Sequence, residues 1–364
     1  AWIRCRPAAG PERPARLQGW KLHVSAAPST ATDVLERALP VLFSEDAPFK
    51  VAATADLLGE LNQGEHGLSQ VGKFITVYPG DDEQALRLGA ALREATQGLR
   101  GPRVPSDRPL CRGSLVHYRY GGFGAQYLQT PIGAVLPALR EPGGALVPDE
   151  RRAAFTPPAW AEDPFVGAGL AAAPAGEALI AGRYLLTATL HESPRGAIQL
   201  AVDVAAARPC ILKRAGRDAM LSRDGRDARD RLRREAAVLA GLQGDRRFPA
   251  LYELVEDGED LVLAMEDLGG DTLDALIARR AGEGRPLAEA EVARLGRELA
   301  EAAAALHGRG QVFRDLKASN VIASEEGLRF IDLELVHDLA DPAPPLGIGT
   351  RGYLSPQQAA GAPP

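Results

Sequence analysis

Lysine is nearly missing from this chain: of 42 basic residues, 37 are arginine and only Lys21, Lys50, Lys73, Lys213 and Lys317 are lysine. Guanidinium stays protonated in any protein setting, whereas an ammonium can lose its proton. Four of the five lysines are therefore marked as candidates for chemistry, with Lys50 read as a chance survivor. Cysteine is as sparse. Cys5, Cys111 and Cys210 lie far apart with no CxxC pair and no histidine cluster, which argues against a zinc site or a disulfide framework. No apolar run reaches the roughly 20 residues that span a bilayer, and the N-terminus has no apolar signal core, so a cytoplasmic protein without a membrane span is expected. A net charge of −6 and a pI near 5.7 leave no broad basic footprint for nucleic acid, so phosphate recognition should be local.

What is present is length and apolar content enough for two cores: 364 residues, 45% hydrophobic and 25% charged. In the first 130 residues, WKLHVSA, VGKFITVYP and SLVHYRYGGF read as strands. TATDVLERALPVLF and DDEQALRLGAALREATQGL between them carry helical apolar spacing. This mixed order implies an α+β domain over residues 1–130. Residues 131–180 are rich in Pro, Gly and Ala and read as a linker. From residue 181, RYLLTATL, AIQLAVDV and PCILKRA read as three strands before an Arg-rich helix, opening a second domain over 181–364.

That second domain carries an ordered constellation. FRDLKASN, residues 313–320, matches the kinase catalytic loop except for Phe313 at the histidine position. There Asp315 would orient the attacking hydroxyl, Lys317 neutralise the transferring phosphoryl and Asn320 reach a Mg2+ ion. Asp332, twelve residues on, would hold the second metal contact. Upstream, Lys213 would meet the α- and β-phosphates and Glu235 pair with it, while LAMEDLGG, with Glu266 and Leu268, fits the hinge that offers backbone groups to a purine. ATP or GTP is the implied cofactor. The phosphate loop keeps only Gly196, D-F-G is replaced by Asp332-Leu333-Glu334, and A-P-E by Ser355-Pro356-Gln357. The sequence ends eight residues after Pro356, before the helices that floor a kinase C-lobe. The expectation is a C-terminally incomplete kinase-like domain, impaired in transfer at this length and cut from something longer.

In the first domain, Lys21 and His23 are two apart on a strand and share a face. A base and an acid side by side suit elimination of phosphate from a phosphorylated Ser or Thr. Lys73, Arg108 and Arg119 are candidates to hold that phosphate, arginine by bidentate contacts. The run WKLHVSA, FKVA, LNQGEHGLSQVGKFITVYP, GPRVPSDRPL and GSLVHYRYGGF, followed by the kinase motifs, resembles the class III lanthipeptide synthetases over most of the chain.

The resemblance implies a phosphothreonine-lyase-like fold with Lys21 as base and His23 as acid, and with Tyr118 or Tyr120 to orient the substrate. It implies a kinase that phosphorylates Ser or Thr of a ribosomal precursor peptide, with a leader and a Ser/Thr/Cys-rich core. A metal-independent lyase would then leave dehydroalanine or dehydrobutyrine, and the cyclase domain of the family is absent from this chain. Two other readings compete: a pseudokinase-bearing peptide-binding module, and an ordinary Ser/Thr kinase with an unrelated regulatory domain.

Overall fold

The computed structural model describes residues 1–6, 16–124, 126–150, 152–172, 179–324, 327–341 and 348–362. In chain order the first domain contains β1 (Trp2–Cys5), β2 (Gln18–Val24), α1 (Ala31–Ser44), β3 (Phe49–Ala52), α2 (Ala55–Gln63), β4 (Ile75–Val77), α3 (Asp82–Ala95), β5 (Arg108–Pro109), β6 (Val116–Gly122), β7 (Tyr127–Gln129), β8 (Val135–Arg140), β9 (Leu146–Pro148) and α4 (Pro164–Gly167). Six of these strands form one antiparallel sheet in the order β1-β3-β4-β2-β6-β5. Alternation on β2 sends Trp20, Leu22 and Val24 into a core shared with Val34, Ala38 and Leu42 of α1 and Leu88 and Leu92 of α3. Caps fix the helix starts: Thr54 accepts from the Leu57 N–H at α2, and Asp81 accepts from Gln84 at α3. Lys50 has a packing reason to be lysine, because its ammonium lies 4.0 Å from the centre of the Trp2 ring.

Residues 131–172 are not the expected loose linker. β7, β8 and β9 form an antiparallel meander, and α4 delivers Phe165, fully buried, against Trp20 and Tyr118. The Trp20 indole N–H donates to the Glu162 carbonyl at 3.0 Å. The Pro/Gly-rich composition marks tight turns between short elements, while one aromatic anchors the segment to the first core. Phe165→Ala is expected to lower the stability of the N-terminal domain by about 3–5 kcal/mol, read as a fall in denaturation midpoint with Trp20 fluorescence. A true linker would show no change.

The second domain begins with β10 (Tyr184–Ser193), β11 (Gly196–Asp203), β12 (Arg208–Ala215), α5 (Ala228–Gly241), β13 (Leu251–Asp257) and β14 (Asp260–Glu266). Its antiparallel sheet runs β10-β11-β12-β14-β13, leaving β10 at an edge with two register shifts, between Leu186 and Ala188 and between Thr189 and His191. Then follow β15 (Asp271–Thr272), α6 (Leu273–Gly282), α7 (Glu289–His307), β16 (Gln311–Val312), β17 (Val321–Ser324), β18 (Gly327–Phe330), β19 (His337–Asp338) and α8 (Pro356–Ala359). Phe313, the departure from the catalytic-loop pattern, is buried and packs 6.1 Å from Phe330, so the position serves the core.

The two domains touch through arginines of the first. Arg100 pairs with Asp218 at 2.6 Å, Arg103 with Asp260 at 3.2 Å, and Arg112 donates to the Gly258 carbonyl at 2.6 Å. No helix among the described residues is long and apolar enough to cross a membrane.

Candidate functional sites

In the first domain the strand register decides which candidates meet. Lys21 lies opposite Arg119, and His23 opposite His117 on one side and Thr76 on the other. These residues share one face of the sheet, and Lys21, His23, Arg119 and His117 are all buried. Lys73 reaches the same place from the turn before β4. The group that gathers them is Asp107, a residue the sequence reading passed over. One of its oxygens accepts from Nδ1 of His23, and the other receives the Lys73 ammonium at 3.2 Å and the Ser106 hydroxyl at 2.6 Å.

Burial alone would raise the Asp107 carboxyl, but His23 and Lys73 outweigh it and hold it well below the usual range. Burial likewise takes His23 down to about 3 despite the pull of Asp107, with Lys73 and Lys21 adding to the fall. His23 is thus neutral at rest, with Nδ1 engaged by Asp107. The Lys21 ammonium donates to the Gly122 carbonyl at 2.9 Å, and Arg119 donates to Asp149 at 2.8 Å and to the Glu150 carbonyl at 3.3 Å.

Tyr118 and Arg108 do not join this site. Tyr118 pairs with Leu22 across β2 and β6 and so projects to the opposite face, where its hydroxyl donates to Asp163 at 2.8 Å. Arg108 lies opposite Tyr118, pairs with the same Asp163 at 3.5 Å and donates to the Ala172 carbonyl. Burial and Asp163 raise the Tyr118 phenol. Both residues fasten residues 163–172 to the sheet, and Tyr120 shares their parity. Asp149, like Asp107, carried no signal in the sequence beyond its charge.

In the second domain, β12 and α5 bring Lys213 within 2.6 Å of Glu235, and Asp332 lies 2.8 Å from the same ammonium. Burial would lower Lys213, but the two carboxylates overcome it and raise the ammonium. Burial raises Glu235, and Asp332 is held low by Lys213 against its own burial. Arg314 and Asp332 are non-glycine residues at φ 65° and 63°, a strain that the surrounding loop must hold in place.

Asp315 accepts from Lys317 at 2.9 Å, from the Thr350 hydroxyl at 2.7 Å and from the Thr350 N–H at 3.1 Å, which keep its carboxyl low against burial. Thr350 is a further residue of the catalytic loop's surroundings that the sequence reading missed. Asn320 donates to the Asp315 carboxylate at 3.1 Å, and the Ile331 N–H donates to the Asn320 carbonyl at 2.9 Å, setting Asn320 beside Asp332. An amide oxygen and a carboxylate, as Asn320 and Asp332 carry, are the kind of oxygen donors that Mg2+ prefers.

The hinge residues have mixed duties. The Glu266 side chain is tied to Arg329 at 2.9 Å and accepts from the Ala250 N–H, and its own N–H donates to the Ala250 carbonyl at 2.9 Å, so Glu266 is engaged in holding β13 and β18 to the end of β14. Gly196 is glycine for a steric reason: at φ 154°, a Cβ would stand 1.8 Å from the Arg214 carbonyl oxygen. That requirement belongs to the β11–β12 contact, not to phosphate binding alone.

Comparison with known proteins agrees with this division. Residues 1–177 match the family described as RamC, N-terminal domain, and residues 195–361 match the protein kinase domain. The probable SapB synthase of Streptomyces coelicolor is 34% identical over 98% of this chain and 39% of its own length. The serine/threonine-protein kinases PknL of Mycobacterium tuberculosis and pkn2 of Myxococcus xanthus are each 32% identical, over 51% and 50% of this chain and 45% and 22% of their own. The chain thus spans less than half the length of these curated relatives. Its first half is similar to the RamC N-terminal domain family and its second to the protein kinases, the order expected from the resemblance to the class III lanthipeptide synthetases.

Proposed function

We propose that this chain is the phosphorylating and eliminating portion of a lanthipeptide synthetase. Its kinase-like domain transfers the γ-phosphoryl of ATP or GTP to Ser or Thr of a precursor peptide. Its N-terminal domain then expels the phosphate. The observation that carries the reading is the convergence of His23 and Lys73 on Asp107, on the sheet face that also bears Lys21 and Arg119.

In the elimination, Lys21 in its neutral form removes the α-proton, the Cβ–O bond breaks, and a proton from His23 goes to the departing phosphate. The resting His23 is neutral, so the acid role requires the substrate dianion to raise it, as a phosphate close to Nε2 would. Lys73 and Arg119 hold the phosphate oxygens. A base, an acid and two cations come from the chain itself, so elimination should proceed in the presence of EDTA.

In the transfer, Asp315 orients the peptide hydroxyl, Lys317 faces the moving phosphoryl, and Lys213, fixed by Glu235, meets the phosphates. Mg2+ held by Asn320 and Asp332 would neutralise the charge on the phosphate oxygens.

The test is mass spectrometry of a phosphoserine peptide, fused to a suitable leader, incubated with the chain in EDTA without nucleotide. Loss of one phosphoric acid, cut by about 10²-fold or more in Lys21→Ala and His23→Ala, is the expected result. An intact phosphopeptide would rule out the lyase and leave the kinase fold with a binding or regulatory N-terminal domain.

A further inference from the structure

The cavity beside Lys213, Glu235 and Asp332 has a volume of about 490 Å³, and one residue that lines it comes from the other domain: Gln63, the last residue of α2. The next residue, Gly64, closes α2 at φ 80°. A side chain there would begin 2.7 Å from Cγ of Pro194, in the tip of the β10–β11 hairpin. Ser193 through Ala197 of that tip line the Lys213 cavity on one side. On the other they line a second cavity of about 360 Å³ between the domains, whose far wall includes Pro102 to Pro105 and Asp107. The tip is thus a partition backed by α2. The pairs of Arg100 with Asp218 and Arg103 with Asp260 keep the two domains from sliding past each other.

This hairpin occupies the place of the loop that closes over nucleotide phosphates, and it retains a single glycine. A glycine-rich loop settles onto phosphates by its own backbone freedom, and a loop with one glycine has less of it. The contact with Gly64 provides from outside what the loop lacks within: a fixed height above Lys213. Gln63 adds a carboxamide whose N–H groups suit phosphate oxygens.

We propose that the C-terminal end of α2 completes the nucleotide site, with Gln63 as a positioning contact to the polyphosphate of a nucleoside triphosphate and Gly64 setting the height of the phosphate loop through Pro194. The proposal rests on the reading of the second domain as nucleotide-using, and it assigns to the first domain a role in that site.

The experiment measures binding of a fluorescent ATP analogue with Mg2+ to the full chain. Gln63→Ala should raise Kd about tenfold, the loss of one hydrogen bond to a charged group. Gly64→Asn, which tolerates the left-handed backbone but places a Cβ against Pro194, should raise it at least as much, and Pro194→Ala in the same chain should restore it. Gly98→Asn carries the same backbone demand, at φ 80° in open space, and should leave Kd unchanged. Elimination from a phosphopeptide in EDTA should be the same in Gln63→Ala as in the unaltered chain. Wild-type Kd in both Gln63→Ala and Gly64→Asn would overturn the proposal. A wild-type chain that binds no nucleotide, or whose binding ignores Lys213→Ala, would overturn the nucleotide reading itself and the proposal with it.

Discussion

Lys213→Ala should reduce nucleotide-dependent phosphopeptide formation by about 10²–10³-fold while leaving elimination from a pre-phosphorylated peptide intact. The ammonium lies between two carboxylates, the buried Glu235 at 2.6 Å and the partly exposed Asp332 at 2.8 Å. Removing it takes away the charge that would meet the phosphates and leaves Glu235 buried with its partner gone. Loss of one member of such a pair costs about 3–5 kcal/mol, so unfolding of the second domain should move to lower temperature as well. Glu235→Gln in the Lys213→Ala background separates the two effects. It should recover part of the lost stability by discharging the carboxylate and recover none of the transfer. A variant that lost elimination together with phosphorylation would show that the two reactions do not occupy separate sites.

The second large effect is a loss of stability on acidification. His23, held down to about 3, and His117, which burial takes to about 4, are both neutral in the fold and would bind protons from 6.5 downward once unfolded. The unfolded chain therefore binds more protons between pH 6.5 and pH 4. Stability from these groups is complete above that window and falls as pH drops through it. Asp107, depressed in the fold, adds a loss of the same sign below its ordinary value of 3.8. A fall of a few kcal/mol in unfolding free energy between pH 7 and pH 4.5 is expected, followed by denaturant titration with Trp20 fluorescence. His23→Asn should flatten the curve. Stability unchanged between those pH values would mean that the histidines bind protons in the folded state as readily as in the unfolded chain.

The kinase-like residues were legible because they sit at fixed distances along the chain: Lys213 meets Glu235 and Asp332, and Asp315 meets Asn320. The Lys21 and His23 pair was legible for a simpler reason, since strand parity is readable from sequence. Parity between strands is not. Arg108 lies on the opposite face because the β5–β6 register, set by backbone pairing, leaves no mark in composition, whereas Tyr118 neighbours Arg119 on β6, so alternation along that one strand already sends the two to opposite faces. Asp107 stood next to a chosen residue, inside a loop, and only folding shows that its carboxylate is the hub of the site. Phe165 was hidden by the Pro and Gly around it, which signal turns without revealing what a single buried ring anchors. Gln63 and Gly64 were unreadable for a further reason: their significance lies in a contact with the other domain, 130 residues along the chain at Pro194.

The edge strand β10 bears on how this protein behaves at high concentration. Leu185, Leu186 and Leu190 are 51%, 44% and 57% exposed, a combination that on a flat, regular edge would invite another chain to add itself and continue the ladder. The two register shifts in β10 interrupt the row of unpaired peptide groups and increase its local twist. A foreign strand finds only short matching stretches before the spacing fails. The irregularity that weakens the pairing of β10 with β11 therefore also makes the strand that carries three exposed leucines a poor template for a further one.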